Sequence, residues 1–441
     1  MYNELLFSSL RHRRNIPTPI NPTVLVPQRH RLFKLVFVPL LVFSVFGQGA
    51  VVWTQLDDIQ AGYFDFVLYY SAAKILNDDK GAQLFELEVQ RKYQENFGGG
   101  HRDWDLPFNH PPYELLPLRP LAKFSFPVAH ALWTAISIVL LAIALVRLFP
   151  FLEATYRCLF ALMLLAFFPT VTALKMGQDS LITTLLLAET FVSLKHKRYA
   201  IAGGLLAVGL YKPQFVLPLL GILFMHRRWA SVLGFTSVGL LLAAISLVMV
   251  GQDGLMGLVR LWLPMINRGH VVWPELMTNV RGLVYMILQP AGLTEATNAL
   301  TVVFSVATYA ATLQLWPPDA EEKDDLFDLR FAAAVVMTAL VSFHSYSYDG
   351  TLLVIPLVIM LNHVLKASGP YPLRHRIFLA LLIAWFVPLV PNVLLRGALL
   401  AWWAVPLPIL FAVIAIEIRH RFDERCSVIK TEESRSVVCQ I

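Results

Sequence analysis

Long apolar stretches separated by short polar turns repeat along this chain from residue 33 to residue 417. A helix needs roughly 20 apolar residues to cross a bilayer core about 30 Å thick, and most of the stretches approach that length. They are continuous rather than alternating with period two, which favours helices over a β-barrel. The first is 33–54, followed by 127–148, 154–172, 178–194, 198–211, 213–226, 229–250, 294–315, 328–344, 349–366, 375–391 and 396–417. Pro213 splits the pair 198–211 and 213–226, which reads either as two short helices meeting inside the membrane or as one broken element. The expected fold is an all-α polytopic membrane protein, a bundle of about 12 transmembrane helices.

The polar stretches set the orientation. Residues 1–32 carry Arg11, Arg13, Arg14, Arg29 and Arg31 with several prolines, and read as a disordered basic arm; 418–441 reads as a tail. The run 33–54 is too long for a signal-peptide core and shows no clean small-x-small site, so an uncleaved first helix is expected. Following the alternation, Lys195-His196-Lys197-Arg198, His226-Arg227-Arg228, Arg374-His375-Arg376 and the segment after Arg419 fall on the side of the N-terminus. Positive charge collects in the cytoplasm, so both termini are expected there, in a multi-pass plasma (inner) membrane protein. The acidic loop Asp319 to Asp328 falls on the same side, which is permitted because acids weigh little in orientation.

Two long segments then face outward, 55–126 and 251–293. In the first, Gln83 to Phe97 reads as a helix with Phe85, Val89, Tyr93 and Phe97 at i+4 spacing. One apolar stripe and one charged face suit the membrane interface, and Gly98, Gly99 and Gly100 end the helix. The second holds the apolar run Leu255 to Ile266 with Arg260 and Arg268, expected to lie along the surface or dip into it.

Composition agrees with the pattern. The chain is 57% hydrophobic and 15% charged, with mean hydropathy +0.60, more apolar than a soluble domain of 441 residues requires. The net charge of +6 would suggest nucleic acid in a soluble protein; here basic loops that orient the helices account for it, and no nucleic-acid partner is expected. Cys158, Cys426 and Cys439 fall on or near the cytoplasmic side, so no disulfide is expected. Cys439 has too few residues after it for a prenylation box.

The candidate chemistry is where polar residues meet the outer helix ends. Asp65 lies among Tyr63, Phe64, Phe66, Tyr69 and Tyr70, and reads either as a helix cap or as a rigidly held functional carboxylate. His110 precedes Pro111-Pro112, where a plain turn competes with a binding role. Gln178 and Asp179 cap the next helix or line a cavity. Lys212, ahead of Pro213, either snorkels to the interface or binds phosphate as a point charge. His344 and Asp349 form a structural pair, or His344 donates to phosphate with Tyr346, Tyr348 and Asp349 shaping the pocket; Arg281 joins this group. Ionisable groups at membrane depth face a cavity or a partner, and convergence on one side points to one cavity. His110, His270 and His344 are far apart without metal-ligand spacing, so neither a metal nor another cofactor is expected. No Walker loop, G-x-S-x-G or dinucleotide fingerprint occurs, which leaves a nucleotide-sugar donor unsupported.

These residues carry a family resemblance through their order. After one helix come D-F-x-x-Y-Y-x-A-A from Asp65, P-P-Y-x-L-L-P-L-x-P-L-A from Pro111, and Trp133 in the second helix; then G-Q at Gly177, K-P-Q at Lys212, N-x-R-G-L at Asn279 and H-x-Y-x-Y-D at His344. Over roughly 33–417 the chain resembles glycosyltransferase family 87, polyprenyl-phosphate-mannose-dependent mannosyltransferases of the GT-C superfamily. The resemblance implies a catalytic base at Asp65. It also implies donor phosphate and sugar binding at His344, Lys212, Arg281, Tyr348 and Asp349, with Tyr69, His110, Gln178 and Asp179 lining the cavity or the acceptor site. The implied partners are a polyprenyl-phosphate sugar, a lipid or glycan acceptor and membrane lipids. Asp179-Ser180 after G-Q is more acidic than the family pattern, which touches acceptor specificity. Two further readings remain: a secondary transporter of a small polar or anionic solute, which would more typically show two related halves, and a non-catalytic scaffold.

Overall fold

The computed structural model describes residues 22–97, 106–268, 273–316, 325–366, 374–386 and 404–438. Residues 1–21, Gly98 to Gly100, His270, the acidic stretch 319–324, residues 387–403 of the last two expected spans, and Cys439 lie outside them, as do the side chains of Phe97, Arg268 and Cys426. Among the described residues every regular element is a helix.

The first helix, α1 (Pro22–Thr54), begins inside the expected arm rather than at residue 33. Short α2 (Leu56–Gln60), α3 (Phe66–Asn77), α4 (Leu87–Phe97) and α5 (Leu118–Leu121) form the first long segment, and α6 (Phe126–Leu148) re-enters the bundle. The expected span 154–172 is broken into α7 (Arg157–Leu165) and α8 (Phe168–Met176), with Pro169 in the first turn of α8. The carbonyl of Ala166 at the break accepts hydrogen bonds from Ser44 at 2.7 Å and from Gln48. A freed backbone group inside an apolar bundle needs such a partner, and supplying it docks α1 against α8.

Next come α9 (Ser180–Lys195), α10 (Tyr199–Val208) and α11 (Pro213–Met225). The last two are separate helices of 10 and 13 residues, joined by a 3₁₀ turn and by Lys212, whose φ of −122° and ψ of 69° are not helical. At about 1.5 Å per residue, neither spans a bilayer core alone.

The helix α12 (Trp229–Arg268) corrects the expected exit at residue 250. Gly251 takes φ 69° and ψ −179°, which turns the chain, and the apolar run beyond it continues as helix. There follow α13 (Val280–Leu288), α14 (Thr294–Leu315), α15 (Asp325–Val341), a 3₁₀ stretch Ser347–Leu353 leading into α16 (Val354–Lys366), α17 (Arg374–Phe386) and α18 (Pro406–Val438). This last helix runs on through most of the expected tail.

Among the described residues, four helices are long and apolar enough to cross a membrane, Phe126–Phe151, Trp229–Leu263, Glu295–Leu315 and Ser347–Lys366, with three shorter apolar ones at Leu41–Thr54, Tyr199–Tyr211 and Pro213–Met225. The protein is an all-α membrane protein. The expected dozen full spans are not reached by this measure, because several candidates are split, shortened or outside the described residues.

Burial sorts the helices. In α12 only 6% of the apolar window is buried, against 72% in the segment ending with α16. Leu240, Leu241 and Val248 on α12, and Val302, Val303 and Val306 on α14, are exposed where lipid would cover them. By contrast α15 is apolar all round and buried all round, packed by α11, α14, α16 and α18. On α10 and α12, Gly203 faces the Ser231 backbone and Gly234 faces that of Ala200; a side chain at either would overlap the partner's carbonyl.

A second cluster packs α3 and the region around α4 against the start of α6. It covers the stripe expected at the interface: Phe85 stacks on Phe108 at 6.1 Å, and the buried Tyr93 donates to Asp78 at 2.6 Å. That face of α4 is turned to protein.

Candidate active site

The alternation of helices brings one set of ends together: the start of α3, the α8–α9 turn, the α10–α11 break and the stretch between α15 and α16. The opposite set is tied by Lys195 to Asp328 at 2.7 Å and by His226 stacked on Trp316.

The α8–α9 turn is the pivot. Gly177 ends α8 in the left-handed region with φ 66°, and any Cβ there would collide with Phe66. Its carbonyl accepts from the Trp133 indole at 2.9 Å. So fixed, Gln178 donates through Nε2 to Asp65 Oδ2 at 2.6 Å and accepts through Oε1 from the Tyr69 hydroxyl at 3.0 Å. Asp65 sits at the start of α3 but makes no side-chain cap to the helix backbone, so the capping reading does not describe its side chain. One turn before Gln178, Lys175 donates to Gln55 at 3.0 Å and lies over the Phe64 ring.

The next residue opens an ion cluster. Lys212, at the α10–α11 break, is buried; its Nζ lies 2.7 Å from Asp179 Oδ1 and 2.7 Å from Asp349 Oδ1, and donates to Ser180 Oγ at 2.8 Å. Ser180 Oγ in turn donates to Asp349 at 2.9 Å, and Asp349 also accepts from the Tyr346 backbone N–H. Lys212 therefore does not snorkel. Asp349 pairs with this ammonium rather than with His344.

His110 leaves the plain turn: its Nδ1 is 2.7 Å from Glu114 Oε2, and the ring packs edge-on against Tyr69 at 5.9 Å. Pro112 starts the 3₁₀ turn that carries Glu114, and His110 stands two residues before it. Burial pushes the Glu114 carboxyl up to about 8; His110 opposes that rise and the nearby Asp179 charge adds to it. His110, Glu114 and Asp179 each offer a ligand atom within 4.8 Å of the others, a grouping that the wide spacing of the histidines did not suggest.

Around this centre, Tyr348 faces Lys212 with its ring 5.3 Å from Nζ, and His344 packs on Tyr346 at 4.6 Å. Arg281 hydrogen-bonds Asn298 on α14, so of the expected group it is the one turned toward the margin. Asn279 caps α13 through Gly282 N at 2.9 Å and donates to the Ser342 carbonyl, which ties the N-x-R-G-L segment to the His344 stretch.

The family model described as Glycosyltransferase family 87 matches residues 108–342, just over half of the chain. The chain belongs to glycosyltransferase family 87. No curated protein and no solved structure matched it. The family match contains His110, Glu114, Gln178, Asp179, Lys212 and Arg281; Asp65 lies before it, and His344, Tyr348 and Asp349 lie after it. This membrane glycosyltransferase thus has its expected polar residues brought to one end of the bundle from within and beyond the matched stretch. Sequence reasoning missed Glu114, Ser180 and Lys175. Glu114 had a signal, since it stands four residues after His110 across a Pro-Pro turn; Ser180 had none, because its partners come from α11 and the α16 approach.

The arrangement offers a carboxylate, Asp65, oriented by the Gln178 amide with Lys175 in its electrostatic field, beside a cluster in which Lys212 pairs with Asp179 and Asp349. The first suits proton abstraction, since a carboxylate bound to a cation is a weaker base.

Proposed function

We propose that this family 87 enzyme transfers a sugar, most simply mannose, from a polyprenyl-phosphate donor to a lipid or glycan acceptor on the outer side of the membrane, with inversion. The observation that carries the reading is the Asp65–Gln178–Tyr69 chain of hydrogen bonds. It holds a carboxylate in one orientation through a neutral amide. Asp65 takes the proton of the acceptor hydroxyl as that oxygen attacks the anomeric carbon; the bond to the polyprenyl phosphate breaks, and the lipid phosphate leaves with the electron pair. The sugar passes through an oxocarbenium-like state. Negative charge grows on the leaving phosphate, and His344, Arg281 and Lys175 are the groups assigned to meet it. Lys212, with three oxygens already around Nζ, is assigned to hold Asp179 and Asp349 in place beneath the sugar instead of binding phosphate directly.

The test is sugar transfer by purified, lipid-reconstituted protein offered a panel of polyprenyl-phosphate sugars, comparing wild type with Asp65→Asn. Transfer by wild type that falls about 10²-fold or more in the variant, with thermal stability kept, supports the class and the base. Equal transfer by both removes Asp65 as base. Solute uptake into vesicles without transfer from any donor overturns the reading in favour of a transporter.

A further inference from the structure

Donor bookkeeping at the centre of the bundle leaves two buried carboxylate oxygens over. Glu114, Asp179 and Asp349 are all buried, and Lys212 is buried among them. The ammonium has three donors, and its three short contacts are to Asp179, Asp349 and Ser180. Asp179 Oδ1 is taken by the ammonium, whereas Asp179 Oδ2 and Glu114 Oε1 have no hydrogen-bond partner among the described residues. Buried carboxylate oxygens without a donor are costly in a water-poor interior, so the arrangement calls for a further cation or proton beside them.

The geometry says where that charge fits. His110 and Glu114 come from the turn before α6, and Asp179 comes from the start of α9. Their ligand atoms lie within 4.8 Å of one another, close enough for one ion to touch all three. Glu114 and Asp179 are less than a tenth exposed, each with one unpartnered oxygen, Oε1 and Oδ2, and His110 is held by contacts to Tyr69 and Phe108. The groups facing Glu114 and Asp179 are each other, His110 and Lys212.

We infer that His110, Glu114 and Asp179 form a binding site for one divalent cation, joining the segment before α6 to the bundle. One imidazole nitrogen and two carboxylates suit a first-row ion such as Mn²⁺ or Zn²⁺ better than the all-oxygen shells of Ca²⁺ or Mg²⁺. A dication would meet Glu114 and the remaining Asp179 oxygen, Oδ2, while Lys212 keeps its contacts to Asp179 Oδ1 and Asp349. The proposal stands on the donor set and not on the transfer reading, so either can fail without the other.

The experiment uses the full-length protein in detergent, purified without chelator for elemental analysis, then stripped and titrated with Mn²⁺ followed by electron paramagnetic resonance. About one ion per chain and saturable Mn²⁺ uptake are expected, with affinity reduced about 10-fold or more in Glu114→Gln and in His110→Ala. Glu88→Gln, an exposed position on α4, is expected to bind as wild type does. Bound metal is also expected to raise the unfolding temperature of wild type more than that of Glu114→Gln. Wild type without saturable binding up to about 1 mM Mn²⁺ or Zn²⁺ overturns the site, whether or not the variants fold, and leaves protons shared between Glu114 and Asp179 as the balancing charge. Uptake by Glu114→Gln equal to that of wild type, in folded protein, overturns it as well.

Discussion

Asp65 and Asp349 stand at the same end of the bundle in opposite electrostatic settings. Asp65 is oriented by Gln178, a neutral amide. Asp349 is bound by an ammonium and a serine hydroxyl. The neutral partner fixes direction and leaves the carboxylate able to accept a proton. The cation and the hydroxyl fix the position of Asp349. One end of one bundle thus holds two carboxylates with different partners, an amide for Asp65 and an ammonium for Asp349, and the proposed function assigns chemistry to the first and support to the second.

The comparison breaks most directly at the two acids. Asp65→Asn is expected to lower sugar transfer by about 10²- to 10⁴-fold while moving the unfolding temperature little; a stability loss as large as that of a Lys212 variant would mean that Asp65 is structural too. Lys212→Met does the reverse to the fold. It leaves buried carboxylates without their cation, and a loss of about 3–5 kcal/mol is expected, read as a collapse of the thermal transition. Gln178→Leu separates direction from charge: losing one charge-assisted hydrogen bond is worth about 1.5–3 kcal/mol, so transfer should fall about 10- to 10²-fold with substrate affinity less affected.

Smaller effects sharpen the picture. Gly177→Ala puts a Cβ on a left-handed residue pressed against Phe66; the backbone part alone costs about 1–2 kcal/mol, and activity should fall with it because Gln178 follows directly. Least affected should be Arg147→Ala, which removes an ion pair with Glu189 at 2.6 Å whose arginine is 44% exposed. Solvent screening limits such a pair to about 0–1 kcal/mol, with no change in transfer.

Much of this was legible residue by residue. Asp65, His110, Gln178, Asp179, Lys212, His344 and Asp349 announce themselves because polar groups are conspicuous in an apolar sequence, and the alternation of helices predicts that they share an end. Their partners were not legible. Lys212 reads as a phosphate-binding cation until α9 and the approach to α16 place two carboxylates against it. Asp65 reads either as a cap or as a functional carboxylate until Gln178 is seen to hold its side chain from a position 113 residues away. Helix ends also moved where an apolar pattern does not register breaks: Ala166-Phe167 interrupts one expected span, and Gly251 bends α12 without ending it.

The sequence by itself determined the class of molecule. Continuous apolar runs leave backbone groups no partner but their own helix, and that constraint is local, so it can be read along the chain. The ordered motifs likewise pointed to glycosyltransferase family 87 before any contact was known. Only the tertiary structure decided which carboxylate meets a cation, which meets an amide, and that Glu114 joins His110 and Asp179. Charge pairing depends on distances between segments far apart in sequence, and in a low-dielectric interior a separation of a few ångströms changes a carboxylate's role.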